Sequence, residues 1–255
     1  MRPRKRCWWP GSTPSLTSRW PNYKPSCWPN VGRRSVWAWS GGCWLSTTYG
    51  EKKAWHASER DTPRIVAQRA RFVEAVAQHE DPRRFKFVDE TGIHLALTRR
   101  YGRAVGGARV GQGVPLRVGT PVTVVAALTT AGLEAIMSLD GALNQTSFAV
   151  YLTQVLGPTL QPGDVVVLDN LSVHHVAGMA ELVEARGARL LFLPPYSPDF
   201  APIELAWSKL KAALRTAQAR TREALEAALT AAVAWITSED AKNWFDHCGY
   251  HVHSL

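Results

Sequence analysis

The sequence predicts an α/β domain built on a mixed β-sheet with helices packed against it. Two observations carry this. Strand patterns of the meander type come first and an alternation of strand and helix patterns follows, the order in which an antiparallel start leads into parallel units. Apolar runs such as "VVVL" are too short for helices and unbroken enough to be buried on both faces, which suits central strands.

The regular pattern begins near residue 51. Thr62 followed by Pro63 reads as a helix N-cap with proline at the first helical position, and Val66, Ala70, Val73 and Ala77 recur at helical spacing, so a helix is expected over 62–79. After Asp81-Pro82, "RFKFVDE" alternates basic and apolar residues up to Asp89, and Ile93, Leu95 and Leu97 continue in period 2; together they read as a hairpin opening the sheet. Residues 102–119 are rich in Gly and Arg and carry little structure of their own. Strands at 121–128 and 133–139 meet at the "TTAG" turn. A helix over 145–160, a buried strand at 164–168, a helix near 174–186 and a strand at 189–193 follow, and then the proline-rich turn "PPYSPDFAP". The helix opening at 203 places Ile203, Trp207, Leu210 and Leu214 on one face and Glu204, Ser208, Lys211 and Arg215 on the other.

Composition excludes several classes of protein. The apolar runs fall far short of the roughly 20 residues that a membrane span needs. The opening "MRPRKRCWWPGSTP" is basic, but Trp, Pro and Gly stand where a secretory apolar core would be, so a cytoplasmic protein is expected. Cys7, Cys27, Cys43 and Cys248 form no CxxC pair and suit neither a zinc framework nor a disulfide scaffold. His247, Cys248, His251 and His253 have no second ligand cluster at zinc spacing and read as a C-terminal tail.

The formal net charge of +9 invites a nucleic-acid partner, but the excess is local. Residues 1–60 hold eleven Lys and Arg against two acids, whereas residues 61–255 hold nineteen of each. Eight of the eleven Trp also fall before residue 56, among Pro, Ser, Gly and Arg and without helical or strand period. Residues 1–50 are therefore expected to be irregular and to form no packed core. Three explanations stay open: a basic disordered arm that binds DNA, a small folded module, or a stretch translated out of frame, which the Trp, Arg, Pro, Ser and Gly composition favours. Residues 51–80 read as a linker and helix, and 81–250 as the main domain.

Chemistry is suggested by three carboxylates. Asp89 ends the apolar "FKFV", Asp169 follows "VVVL", and Glu204 opens the amphipathic helix, with 34 residues between Asp169 and Glu204. In open α/β sheets reactive groups gather at the carboxyl ends of strands. Hard divalent ions are held by a few carboxylates drawn from separate elements, together with waters and substrate phosphates. Two such ions, roughly 3.5–4 Å apart, clamp the attacking and leaving oxygens of an in-line displacement. The pattern thus suggests a Mg2+-dependent enzyme acting on phosphodiesters. Each acid also has a bland reading, and Asp-Asn after a strand is a common loop opening.

At this point the blocks "FVDETG", "VVVLDNLSVHH" and "LFLPPYSPDFAPIELAWSKLKAALR" resemble the catalytic domain of insertion-sequence transposases of the mariner-related DDE superfamily. The likeness covers roughly residues 51–250. It implies a ribonuclease H-like fold with Asp89, Asp169 and Glu204 as a catalytic triad that binds two Mg2+ or Mn2+ ions. It also implies terminal inverted repeats and target DNA as partners, TA dinucleotides as target, and a homodimer on DNA in a bacterial cytoplasm, nucleoid-associated when bound. Two departures stand out: Ala201 replaces the family's usual Asn, and residues 1–50 do not read as the helix-turn-helix units the family carries there.

The remaining polar residues are auxiliary candidates. Glu90 adjoins Asp89, but neighbours on a strand point to opposite faces, so one of the two is expected at the metals. Asn170 and His174 could orient the nucleophile or a phosphate, or could be a helix-start cap and a surface His. Arg99, Arg100 and Arg103, within the larger basic set Arg83, Arg84, Lys86, Arg109 and Arg117, and Lys211 and Arg215 beyond Glu204, are candidates for the DNA backbone. The activity expected is strand cleavage followed by strand transfer. The alternatives are a catalytically silent remnant and a ribonuclease H-type nuclease.

Overall fold

The two apolar runs that end on acids form the centre of the fold. In the computed structural model Phe85–Val88 and Val165–Leu168 are buried on both sides and lie next to each other as parallel strands. The structure describes residues 34–40, 43–49, 56–79, 81–99, 101–171, 174 and 177–251. The chain divides into two units, Met1–Trp55 and His56–Leu255.

In the first unit β1 (Arg34–Ser40) pairs antiparallel with β2 (Cys43–Tyr49), from Arg34 opposite Tyr49 to Ser40 opposite Cys43. The expectation of an irregular segment is corrected there. Two residues, Gly41 and Gly42, separate runs rich in Val, Trp, Thr and Tyr, which is a hairpin signal at short range although neither run alternates cleanly. Residues 1–33 lie outside the described residues, as do Cys7 and Cys27.

The second unit holds a five-stranded sheet in the order β5-β4-β3-β6-β7. Its strands are β3 (Phe85–Ile93), β4 (Val122–Thr129), β5 (Gly132–Asp140), β6 (Val165–Leu168) and β7 (Arg189–Phe192). The meander β3-β4-β5 is antiparallel, and β3, β6 and β7 run parallel, so the sheet is mixed as expected. The hairpin expected within 85–97 is absent among the described residues: β3 is one nine-residue strand whose antiparallel partner is β4. It pairs with β6 over Phe85–Val88 and with β4 over Phe87–Ile93, so the ladder with β4 carries the strand past Asp89 and through Gly92.

Helices cover both faces. On one, Phe85, Phe87, Val165 and Val167 pack with α1 (Pro63–His79), α4 (Pro202–Ala217), α5 (Arg222–Ala234) and α6 (Ser238–His247). On the other, Val88, Val166 and Leu168 pack with α2 (Gln145–Val150), its π-helical continuation Tyr151–Leu156, and α3 (Met179–Glu184). The last helix pair, α5 and α6, was not read from the sequence, and α3 is shorter than expected. Cys248 follows α6, half-buried, and Tyr250 turns back to donate its hydroxyl to the Phe200 carbonyl at 2.7 Å.

The helix α1 has the expected limits but a different buried stripe. Val66 and Val73 are half exposed, whereas Ile65, Phe72 and Val76 enter the core. Both sets satisfy helical spacing. The set with Ile and Phe removes more apolar area from water and wins. The Thr62 hydroxyl donates to the Glu59 carbonyl at 2.7 Å, so it closes the preceding 3-10 turn.

Candidate active site

The last rung of the parallel β3–β6 ladder pairs Val88 with Leu168. The next residue in each run is an acid: Asp169 follows the end of β6, whereas Asp89, expected at a strand end, is the fifth residue of β3, opposite Ala126 of β4, because β3 runs on along β4 after its ladder with β6 stops. Glu204 arrives from a third direction, as the third residue of α4, where a carboxylate also complements the helix dipole. A cleft of about 430 Å3 opens between these elements. Asp89, Asp169 and Glu204 all line it, with Asn170, Tyr196 and Ser197 among their neighbours. The structure therefore brings all three sequence-predicted acids into one cavity.

Their electrostatics are unfavourable by design of the packing. Burial, then the charges of Glu204, Glu90 and Asp169, push the Asp89 carboxyl up to about 7. The indole Nε1–H of Trp207, read from the sequence only as an apolar-face residue, donates to Asp89 Oδ2 at 2.9 Å. Such a set of oxygen ligands, holding more negative charge than it can settle, suits a hard divalent cation in donor chemistry. Among the described residues no three His, Cys, Asp or Glu stand close enough together to hold an ion unaided. Water and substrate phosphate would complete the shell.

His174 is not the surface residue allowed for in the sequence. It is fully buried, its ring lies tilted against Phe148 with ring centroids 4.6 Å apart, and it links two carboxylates. Its Nδ1 lies 2.6 Å from Asp169 Oδ1 and its Nε2 3.1 Å from Glu90 Oε2. Burial alone would push the imidazole down, but hydrogen bonds to Asp169 and Glu90 and their charges outweigh it and raise His174 to about 9. Glu90 thus points to the α2 and α3 face, away from Asp89, as strand alternation requires, and reaches the site through His174. Asn170 lines the cleft beside Asp169.

The basic candidates are scattered. Arg99 and Arg103 are exposed on the segment after β3, and Lys211 and Arg215 lie half-exposed along α4 on the side of Glu204. Arg100 lies outside the described residues. Sequence reading missed Arg69 and Asp199. Arg69 extends from α1 to Asp199, Nη1 to Oδ1 at 3.1 Å and Nη2 to Oδ2 at 2.7 Å. The available signal was an arginine standing in the Ile65–Phe72 stripe of α1.

A mixed sheet of this order with helices on both faces, and acids directly after the last rung between its two central parallel strands, defines a ribonuclease H-like nuclease fold. The family model of the DDE superfamily endonucleases matches residues 84–226, more than half of the chain, and the chain belongs to that family. Among solved structures it is similar to the Mos1 transposase paired-end complex with the left transposon end, with TM-score 0.62, 18% identity, 78% of this chain covered and 62% of that chain. The isolated catalytic domain of Mos1 mariner transposase matches with TM-score 0.56, 14% identity, 78% of this chain and 95% of that chain. A mariner Mos1 paired-end complex with Mg matches with TM-score 0.58, 17% identity, 80% of this chain and 65% of that chain. At these identities the likeness is one of fold, that of a mariner-related DDE transposase catalytic domain, and the chain spans about 62% of the first relative's length. Comparison with curated proteins gives no match. Among the described residues no helix is long and apolar enough to cross a membrane.

Proposed function

We propose that this chain is a DNA transposase whose catalytic domain cuts DNA at the ends of a mobile element and joins them to a target. The observation that carries the reading is the meeting of Asp89, Asp169 and Glu204, from the middle of β3, the end of β6 and the start of α4, in one cleft. Asp89, Asp169 and Glu204 would hold divalent ions, Mg2+ or Mn2+. Such ions, when bound, neutralise phosphate charge and favour the attacking oxygen.

The chain's own residues have definable tasks. His174 holds Asp169 from behind, and Trp207 holds Asp89, so neither carboxylate must be ordered when substrate arrives. The segment from Leu193 to Pro198, with three prolines, forms one wall of the cleft. Lys211 and Arg215 lie along α4 beyond Glu204 and supply cations for the DNA backbone, as do Arg99 and Arg103. In cleavage a water oxygen attacks phosphorus and the P–O3′ bond breaks, freeing a 3′ hydroxyl. That hydroxyl then attacks a target phosphorus and displaces another 3′ oxygen. No covalent enzyme intermediate is needed. Inverted repeats as substrate and a homodimer as the working form belong to the same proposal.

The test uses supercoiled plasmid with Mg2+ or Mn2+. Wild type should nick it and, with a separate duplex present, yield joined products. Asp169→Asn and Glu204→Gln should abolish both while retaining DNA binding, because removing a negative charge beside phosphates favours association. Unchanged cleavage by either variant would falsify the assignment. Cleavage without joining, strongest on an RNA–DNA hybrid, would favour a ribonuclease H-type nuclease instead.

A further inference from the structure

The third acid stands on a helix whose start has no cap of its own. Ala201 occupies the N-cap position of α4 and offers no side-chain acceptor to the first turn. What holds that turn lies upstream, where three backbone hydrogen bonds run in series: Phe200 N–H to Ser197 O at 3.0 Å, Ala201 N–H to Pro198 O at 3.1 Å and Glu204 N–H to Ala201 O at 3.1 Å. Glu204 is thus tied to Ser197 by a short stiff path. The residue before Ser197, Tyr196, has φ of 56°, a left-handed conformation unfavourable for a bulky side chain and kept only where the surroundings impose it.

Ser197 Oγ donates to the Pro195 carbonyl at 3.1 Å and Tyr250 holds the Phe200 carbonyl, but the side chain that spans the loop is Arg69. Arg69 Nη1 donates to Ser197 Oγ at 2.6 Å and its guanidinium forks onto both oxygens of Asp199. The same guanidinium lies 4.2 Å from the ring centroid of Phe200, which also stacks on Phe72 of α1 at 5.4 Å. Arg60 adds one bond to Asp199 at 3.1 Å. Against the pull of burial, these arginines hold the Asp199 carboxyl below the usual range, so it is charged and available as the acceptor. Three of the four residues from Ser197 to Phe200, all but Pro198, are gripped by a helix outside the matched family region.

We infer that Arg69 is a positioning residue for the metal site: by clamping Ser197, Asp199 and Phe200 it sets the loop wall of the cleft and the place of Glu204. This rests on the metal-dependent reading of the same cleft. The competing idea is that Arg69 matters only through charge, and the two differ in sign. Removing a cation near an acidic site strengthens cation binding by Coulomb's law, whereas loosening the clamp weakens it.

The test compares wild type with Arg69→Ala, Asp199→Ala, the double variant and Arg69→Lys, after thermal unfolding has shown that each is folded. Mn2+ binding is measured by calorimetry without DNA, and the Mn2+ concentration for half-maximal plasmid nicking is measured alongside. Arg69→Ala should weaken Mn2+ binding and raise the half-maximal concentration by roughly 10- to 100-fold. The double variant should be no worse than the worse single one, since both belong to one unit. Arg69→Lys, which keeps the charge and loses the fork, should fall between. Unchanged or tighter Mn2+ binding by Arg69→Ala, or multiplying effects in the double variant, would overturn the inference. Should Arg69→Ala fail to fold, Arg69→Lys decides: a wild-type Mn2+ affinity overturns the clamp and a weakened one supports it. A wild type that binds Mn2+ but never nicks DNA would refute the proposed activity, and the calorimetric comparison would still judge the clamp.

Discussion

Replacing Asp89 with Asn should make the metal-free protein more stable at pH 8 and leave it unchanged near pH 4. The Asp89 carboxyl is raised from 3.8 to about 7 by burial and by Glu204, Glu90 and Asp169. A group whose pKa is higher in the folded state binds more protons there, so its contribution is complete below the unfolded value and is lost as pH rises through the folded one. The window is therefore about pH 4 to 7. Roughly three pH units at about 1.4 kcal/mol each set an upper bound near 4 kcal/mol. Water in the cleft and relaxation of the three neighbouring carboxylates reduce this, and about 2 kcal/mol is a realistic figure. Asn keeps the shape and can still accept the Trp207 Nε1–H. For a domain of this size that corresponds to a rise in Tm of roughly 4–8 °C. Thermal unfolding of both proteins in EDTA, from pH 4 to 8.5, reads the difference directly. Other carboxylates, such as Asp199, titrate in both proteins and cancel. A difference that does not change with pH, or a variant less stable at pH 8, would refute the assignment of strain to this carboxyl. Added Mn2+ should then close the gap by stabilising wild type more than the variant.

Three further outcomes follow from the packing. His174→Ala should cost roughly 1–3 kcal/mol in denaturant unfolding by leaving Asp169 and Glu90 without their shared donor, and should slow plasmid nicking; a variant equally stable and active would remove its positioning role. Ala201→Asn should supply the missing N-cap of α4 and stabilise the fold by roughly 0.5–2 kcal/mol, which urea titration would detect as a higher midpoint at constant m value. Asp240, held down to about 2 by the Lys209 ammonium and by the Thr237 N–H that it caps, should lend α6 stability above about pH 4 that disappears as pH falls through 2, so Asp240→Asn should be destabilising at pH 7 and neutral below pH 2.

Local pattern carried much of the site. Asp89 and Asp169 were legible because an acid directly after an apolar run contradicts its surroundings, although Asp89 proved to lie within β3 and not at its end, and Glu204 because helical period placed it opposite Ile203, Trp207, Leu210 and Leu214, all of which are buried. The stripe of α1 was less legible, since Val66, Val73 and Ile65, Phe72 fit the same period and only the packing partner separates them. The hairpin β1–β2 was missed because its Trp-rich runs lack alternation. The pair α5 and α6 also escaped a reading centred on the acids.

The sequence by itself determined which apolar runs form strands, which face of α4 is apolar and which family motifs are present, because sterics and burial act within a few residues along the chain. Tertiary structure alone decided what those residues meet. His174 bonds Glu90 across 84 positions, Trp207 bonds Asp89 across 118, and Arg69 grips Asp199 across 130. Such partners are chosen by which strand lies beside which and by how deeply water is excluded between them. Neither quantity exists until β3 and β6 lie side by side and α1 and α4 close over one face of the sheet. The raised Asp89 carboxyl and the charged His174 imidazole are consequences of that closure, since a charge shifts its proton affinity only against neighbours and solvent that the fold supplies.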